Sequence, residues 1–138
     1  MDLTSVDLVR KDLQSVEARI MELPFPSAAP VAESIERLLA AGGKRLRPAL
    51  SLIFGRMLRA PDDPLLQFSA SLEIVHTATL IHDDLVDGAP IRRGIPTVSD
   101  KWSAGTAVLV GDFLFAWPLY LNKFPQKRQF IQCNLTAP

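Results

Sequence analysis

The chain has 138 residues, 48% of them hydrophobic and 22% charged. That is enough apolar mass for one buried core, and it excludes an intrinsically disordered chain. Fifteen basic residues balance fifteen acidic ones, which argues against a nucleic-acid or anionic-membrane binder, since either needs a basic surplus. The single cysteine, Cys133, excludes a disulfide framework and a cysteine-ligated zinc site.

Val6, Val9, Leu13, Val16 and Ile20 recur at helical spacing and predict a first helix that stops before Pro24 and Pro26. A second follows Ser27, with Val31, Ile35, Leu38 and Leu39 on one face and a stop at Gly42-Gly43. Pro48 suits the first turn of a third, Ala49 to Arg59. Asp63-Pro64 predicts the cap and first turn of a fourth that runs to about Asp87 and breaks at Gly88-Ala89-Pro90. Thr97 and Asp100 have capping-box spacing for a short helix, and Thr106 onward starts an apolar sixth. No strand-like alternation is visible, so the fold class is all-α.

No basic start or apolar signal core opens the sequence. The longest apolar run, 108–121, contains Asp112 and Pro118 and is shorter than the ~20 residues of a membrane helix. The expectation is a cytoplasmic protein without a transmembrane segment.

The balanced charge is sorted into blocks. Residues 44–59 carry five bases and no acid, and 62–87 carry six acids and no base. The sharpest acidic feature is His82-Asp83-Asp84-Leu85-Val86-Asp87 at the end of the fourth helix. Asp83 and Asp87 are four apart and share a face, with Asp84 three from Asp87. Such carboxylates repel one another at the negative end of a helix dipole. A hard divalent cation, Mg2+ above all, would relieve that strain; an exposed acidic helix end is the plainer alternative. His76 lies two turns earlier on roughly the same face, while His82 points elsewhere, to packing.

Gly42-Gly43-Lys44-Arg45-Leu46-Arg47-Pro48 sets three cations on a glycine turn before a helix. Such a turn admits an anion, unless the bases are simply solvated. Arg92-Arg93-Gly94 follows the aspartates by five residues, and guanidinium forks suit phosphate oxygens. Acids for a metal and two cation groups for phosphates suggest two phosphorylated ligands or one metal-bridged diphosphate.

In this order and spacing the elements GGKRLRP, HDDLVD, RRG and Gly111-Asp112 resemble the N-terminal part of the trans-isoprenyl (polyprenyl) diphosphate synthase family. The resemblance implies the first portion of an isoprenoid-synthase-type helical bundle over residues 1–116, with 117–138 as a divergent, irregular tail that begins where Trp117-Pro118 interrupts the helix. It implies catalytic carboxylates at Asp83, Asp84 and Asp87, of which Asp83 and Asp87 ligate Mg2+ and Asp84 is available as an additional ligand. Lys44, Arg47, His76 and Arg93 would bind the diphosphate of isopentenyl diphosphate, and Arg92 that of the allylic substrate. The implied reaction is head-to-tail condensation. The allylic diphosphate departs, the isopentenyl double bond attacks the cation, and proton loss gives an all-trans product. Ala78 and Thr79, small residues just before Asp83, imply a medium- or long-chain product, which Ala78→Phe should shorten. A homodimer is implied for the full-length enzyme.

The sequence departs from the family in one respect. After Asp87 the acids are Asp100 and Asp112 alone, so the family's second aspartate-rich motif is absent. The chain by itself is expected to be inactive and to expose apolar faces. Two other readings stand beside this one: a non-catalytic subunit or dimerisation fragment, and an HD-type metal-dependent phosphohydrolase built from His76, His82-Asp83 and Asp87.

Overall fold

The first apolar stripe forms helix α1, Leu3–Met21, and buries Val9, Val16 and Ile20. Helix α2 spans Ala29–Ala40, α3 Leu46–Met57 and α4 Asp62–Val86. A short hairpin, β1 Ile91–Arg92 and β2 Ile95–Pro96, leads to α5, Val98–Lys101, and α6, Ala104–Lys123. The computed structural model describes residues 3–22, 29–40 and 45–123. The expected stop at Gly42-Gly43 lies outside them.

Helix α4 is the axis of the bundle, packed on α6, α3 and α1. Its buried residues Ala70, Ile74, Ala78 and Ile81 meet Leu52 of α3, Val16 and Ile20 of α1, and Ala107, Val110 and Leu114 of α6 in one core. Burial of such aliphatic side chains contributes roughly 1.5–3 kcal/mol each, which is what fixes α4 at the centre. Ion pairs then set the helix ends. Arg56 bonds Asp12 at 2.9 Å and also Asp62, joining α3 to α1 and α4. Arg19 holds Asp63 at 2.5 Å.

Several boundaries differ from the sequence expectation, each for a physical reason. Helix α4 begins at Asp62 with Pro61 as its cap. Asp63 is not the cap, because Arg19 takes its carboxylate. Helix α3 begins three residues before Ala49, so Pro48 sits inside the first turn, where its missing N–H costs nothing. Helix α6 begins before Thr106, since Ser103 caps it by accepting from the Thr106 N–H at 3.0 Å. The capping box at Thr97 forms as expected, the hydroxyl accepting from the Asp100 N–H at 3.3 Å.

Two differences are larger. The hairpin was not visible as alternation, and it pairs only Ile91 with Pro96 and Arg92 with Ile95. Trp117-Pro118 does not interrupt α6, which carries Pro118 inside it as far as Lys123. An interior proline costs about 3 kcal/mol. Burial of Val110 and Leu114 and the Phe113–Trp117 ring contact at 5.1 Å offset that loss. A boundary at residue 116 therefore falls within a helix.

Candidate functional site

The site is built at the C-terminal end of α4 and on the hairpin beside it. The helix finishes with the Asp87 N–H bonded to the Asp83 carbonyl at 2.8 Å and the Ala89 N–H bonded to the Asp84 carbonyl at 2.9 Å. Asp83 and Asp87 are both exposed, one turn apart. Among the described residues no ion pair neutralises either of them, and both stand at the negative end of the α4 dipole. Asp84 does not join them. Rotated about a quarter-turn or more from Asp83, it lies in phase with Ile74, Thr77 and Ile81 and is buried with them. Its Oδ1 accepts a hydrogen bond from Arg92 Nε at 2.6 Å.

Arg93 and Gly94 form the two-residue turn of the hairpin, with φ of 51° and 79°. Both central residues of such a turn need left-handed backbone, which glycine supplies at position 94 without strain and arginine does not. The exposed Arg93 side chain is thus fixed at the tip, next to Arg92 in the strand. Thr97 secures the base of the hairpin: its hydroxyl donates to the Ala89 carbonyl at 2.8 Å and its N–H to the Pro90 carbonyl at 3.0 Å. A cavity of about 110 Å³ beneath the hairpin is lined by Asp84, Arg92 and Arg93 together with Thr77, Leu80 and Ile95.

His76 of α4 is half-buried, and Thr79 donates to its carbonyl at 2.7 Å. Burial pushes the His76 pKa below its ordinary value, and the charges of Arg47, Arg93 and Arg92 push it the same way against the opposing charge of Glu73. Three arginines from α3, β1 and the turn thus act on one imidazole. A group of cations around a neutral ring attracts anions. Of the sequence-predicted residues, the fold brings Arg47, His76, Arg92 and Arg93 together. Lys44 lies outside the described residues.

Arg45, the middle cation of the glycine turn, is not part of this group. Its Nε donates to Glu17 at 2.9 Å and its Nη1 to Glu73 at 3.0 Å, with the arginine and Glu73 side chains nearly buried. It ties α1 and α4 to the start of α3. Both partners lie 28 residues away, so no local pattern could reveal the link.

His82 turns toward α6. Its Nε2 lies 3.2 Å from the Val108 carbonyl and 3.7 Å from Asp112 Oδ1, and its ring stacks obliquely on Phe115 at 5.6 Å. A Cβ at Gly111 would stand 2.1 Å from Nε2, so glycine there makes room for the imidazole. His82 and His76 do not converge, and the described residues contain no group of three or more His, Cys, Asp or Glu that could hold a metal. The HD-type ligand set is therefore not formed. Ala78, whose small side chain is expected to leave room for a longer product, is wholly buried in the core, so added bulk there first costs packing.

The donor chemistry at Asp83 and Asp87 suits a hard cation: two carboxylates one turn apart, all oxygen, open to solvent. Mg2+ takes one or two carboxylates and completes its shell with water and phosphate oxygens. The pair fits Mg2+ on these grounds.

The polyprenyl synthetase family model matches residues 29–133. The chain belongs to the polyprenyl synthetase family. It is 39% identical over 105 residues to heptaprenyl diphosphate synthase component 2 of Geobacillus stearothermophilus, a match covering 76% of this chain and 33% of the relative. It is 38% identical over 117 residues to the geranylgeranyl diphosphate synthase of Methanosarcina mazei, covering 84% and 36%. Among solved structures of the family, a decaprenyl diphosphate synthase from Rhodobacter capsulatus superposes with a TM-score of 0.79 at 37% identity, over 91% of this chain and 39% of the other. A polyprenyl synthase from Caulobacter crescentus, complexed with calcium and isoprenyl diphosphate, gives 0.77 at 40% identity, over 85% and 36%. The chain spans about a third of the length of the curated relatives it matches. As in these polyprenyl synthetases the fold is helical, and no described helix is long and apolar enough to cross a membrane.

Proposed function

We propose that this chain is the part of a trans-prenyltransferase that binds the diphosphates of isopentenyl diphosphate and an allylic substrate, and that the whole enzyme condenses them to a medium- or long-chain polyprenyl diphosphate. The observation that carries this reading is the cavity that Arg92 and Arg93 line together with Asp84, with the charges of Arg47, Arg92 and Arg93 all acting on His76, on the helix that ends in Asp83 and Asp87, which have no ion-pair partner among the described residues. The Caulobacter relative's complex with calcium and isoprenyl diphosphate supports a divalent cation and a diphosphate as ligands.

In this reading Asp83 and Asp87 hold Mg2+, which supplies neutralisation of diphosphate charge. Lys44, Arg47, His76 and Arg93 bind the isopentenyl diphosphate, and Arg92 binds the allylic one. Cations fixed before the reaction stabilise the charge that develops on the leaving diphosphate and need not reorganise as it forms. His76, whose pKa is lowered by burial and by its arginine neighbours, can donate a ring N–H to a phosphate oxygen. The small side chains Ala78 and Thr79 support a medium- or long-chain product. The full-length enzyme acts as a homodimer in the cytoplasm, and the balanced charge supports the absence of a nucleic-acid partner.

The 138-residue chain alone turns over no substrate, because it offers two metal-facing carboxylates and no second aspartate-rich motif. The test is a chimera in which residues 29–116 replace the matched segment of a full-length homologue. Mg2+-dependent condensation should be retained, and Asp87→Asn in the chimera should lower kcat at least a hundredfold. A folded chimera whose turnover is indifferent to Asp87→Asn would overturn the assignment.

A further inference from the structure

Asp84 is the middle acid of an exposed-looking cluster, yet its side chain is 8% exposed while that of Arg92 is 40% exposed. The pair contacts through Asp84 Oδ1 and Arg92 Nε at 2.6 Å. A guanidinium carries five N–H donors, one on Nε and four on the terminal nitrogens. Here Nε is taken, and among the described residues the terminal nitrogens have no partner. The buried carboxylate is thus spent on the one donor that lies nearest the strand, and the fork beyond it stays available.

The Asp84 carboxylate is buried and points a quarter-turn or more away from the exposed Asp83 and Asp87, so it could join them on a metal only by leaving its place beside Arg92. The backbone around it is tied twice. The Asp84 carbonyl accepts from the Ala89 N–H, and the Ala89 carbonyl accepts from the Thr97 hydroxyl. Helix end, hairpin base and Arg92 are therefore tied together by hydrogen bonds.

We propose that Asp84 is a positioning residue and not a metal ligand: it clamps Arg92 by Nε so that the terminal nitrogens face an incoming diphosphate. The inference rests on the proposed function for the identity of the anion, but the clamp itself does not.

The test uses the 138-residue chain with Mg2+ and inorganic pyrophosphate as probes. In calorimetry Asp84→Asn should leave Mg2+ affinity within about twofold and weaken pyrophosphate binding about tenfold, on the scale of one charge-assisted contact. Arg92→Gln should do the same, and the double variant should be no weaker than either single one. Asp87→Asn should instead abolish Mg2+ binding. A second readout needs no variant: the Arg92 Nε–H resonance should be visible in the unliganded protein and unmoved by saturating Mg2+, while the Asp83 and Asp87 amides shift. Loss of that resonance on adding Mg2+, or an Asp84→Asn defect in Mg2+ affinity equal to that of Asp87→Asn, would sink the clamp. If the wild-type chain binds neither probe, the proposed function fails. The clamp is then judged by the Nε–H resonance alone, whose absence from the unliganded protein overturns it.

Discussion

At the scale of single residues, two side chains carry a recognisable cost that their role explains. Arg93 holds left-handed backbone at φ 51° in a turn that favours Asn-Gly. Backbone strain of this kind is worth about 1–2 kcal/mol and collects at functional positions. Arg93→Asn should therefore raise stability by about 1 kcal/mol in urea unfolding and weaken pyrophosphate binding about tenfold in calorimetry. A variant neither more stable nor weaker in binding would remove the trade. His76 gives a pH signature. Its pKa in the folded chain is lowered from 6.5, so the unfolded chain takes up the proton first and stability falls as pH drops below that value. A bound diphosphate supplies negative charge and should raise the His76 pKa, with proton uptake on binding. Proton NMR titration of the His76 ring with and without pyrophosphate reads this, and identical titration curves would place the anion elsewhere.

At the scale of elements, the bundle is wired by ion pairs that no single helix contains. Arg45→Met would leave the buried Glu73 without its guanidinium, a loss on the order of 3–5 kcal/mol. The midpoint in urea should fall accordingly, and Arg45→Met with Glu73→Leu should recover most of it. Persistence of the full loss in the double variant would show that the arginine acts through something other than this pair. The same contrast explains what was legible in the sequence. Helices α1 and α2 announce themselves by apolar spacing, α3 and α4 by the prolines near their starts and α6 by its apolar run, and the Asp83–Asp87 face follows from a four-residue step. The inward turn of Asp84 was also encoded, since it continues the Ile74, Thr77, Ile81 stripe, but its charge masked the phase. The partners of Arg45 lie too far along the chain to be seen. Two-residue strands cannot show alternation, and the passage of α6 through Pro118 depends on packing against α4 that exists only in three dimensions.

At the scale of the whole molecule, α3 presents Leu50, Phe54 and Met57 to solvent, continued by Leu58 just past its end, with Phe54 and Met57 58% and 73% exposed. An apolar stripe of this kind drives association. Sedimentation velocity should show self-association that grows with concentration. Leu50→Glu with Phe54→Lys should return the chain to a 15.2 kDa monomer without loss of helicity, and a wild-type chain that stays monomeric throughout would refute this. The meeting of α4 and α6 at His82 and Gly111 constrains the chain in another way. A Cβ at 111 would meet the far end of the His82 ring at 2.1 Å, so a side chain there requires the imidazole to move, and the two positions are coupled. In a set of homologous sequences a side chain at 111 should be rarer where 82 is histidine than where 82 is small. Loss of the glycine thus carries with it either a displaced imidazole, with loss of its contacts to Val108 and Phe115, or a smaller residue at 82.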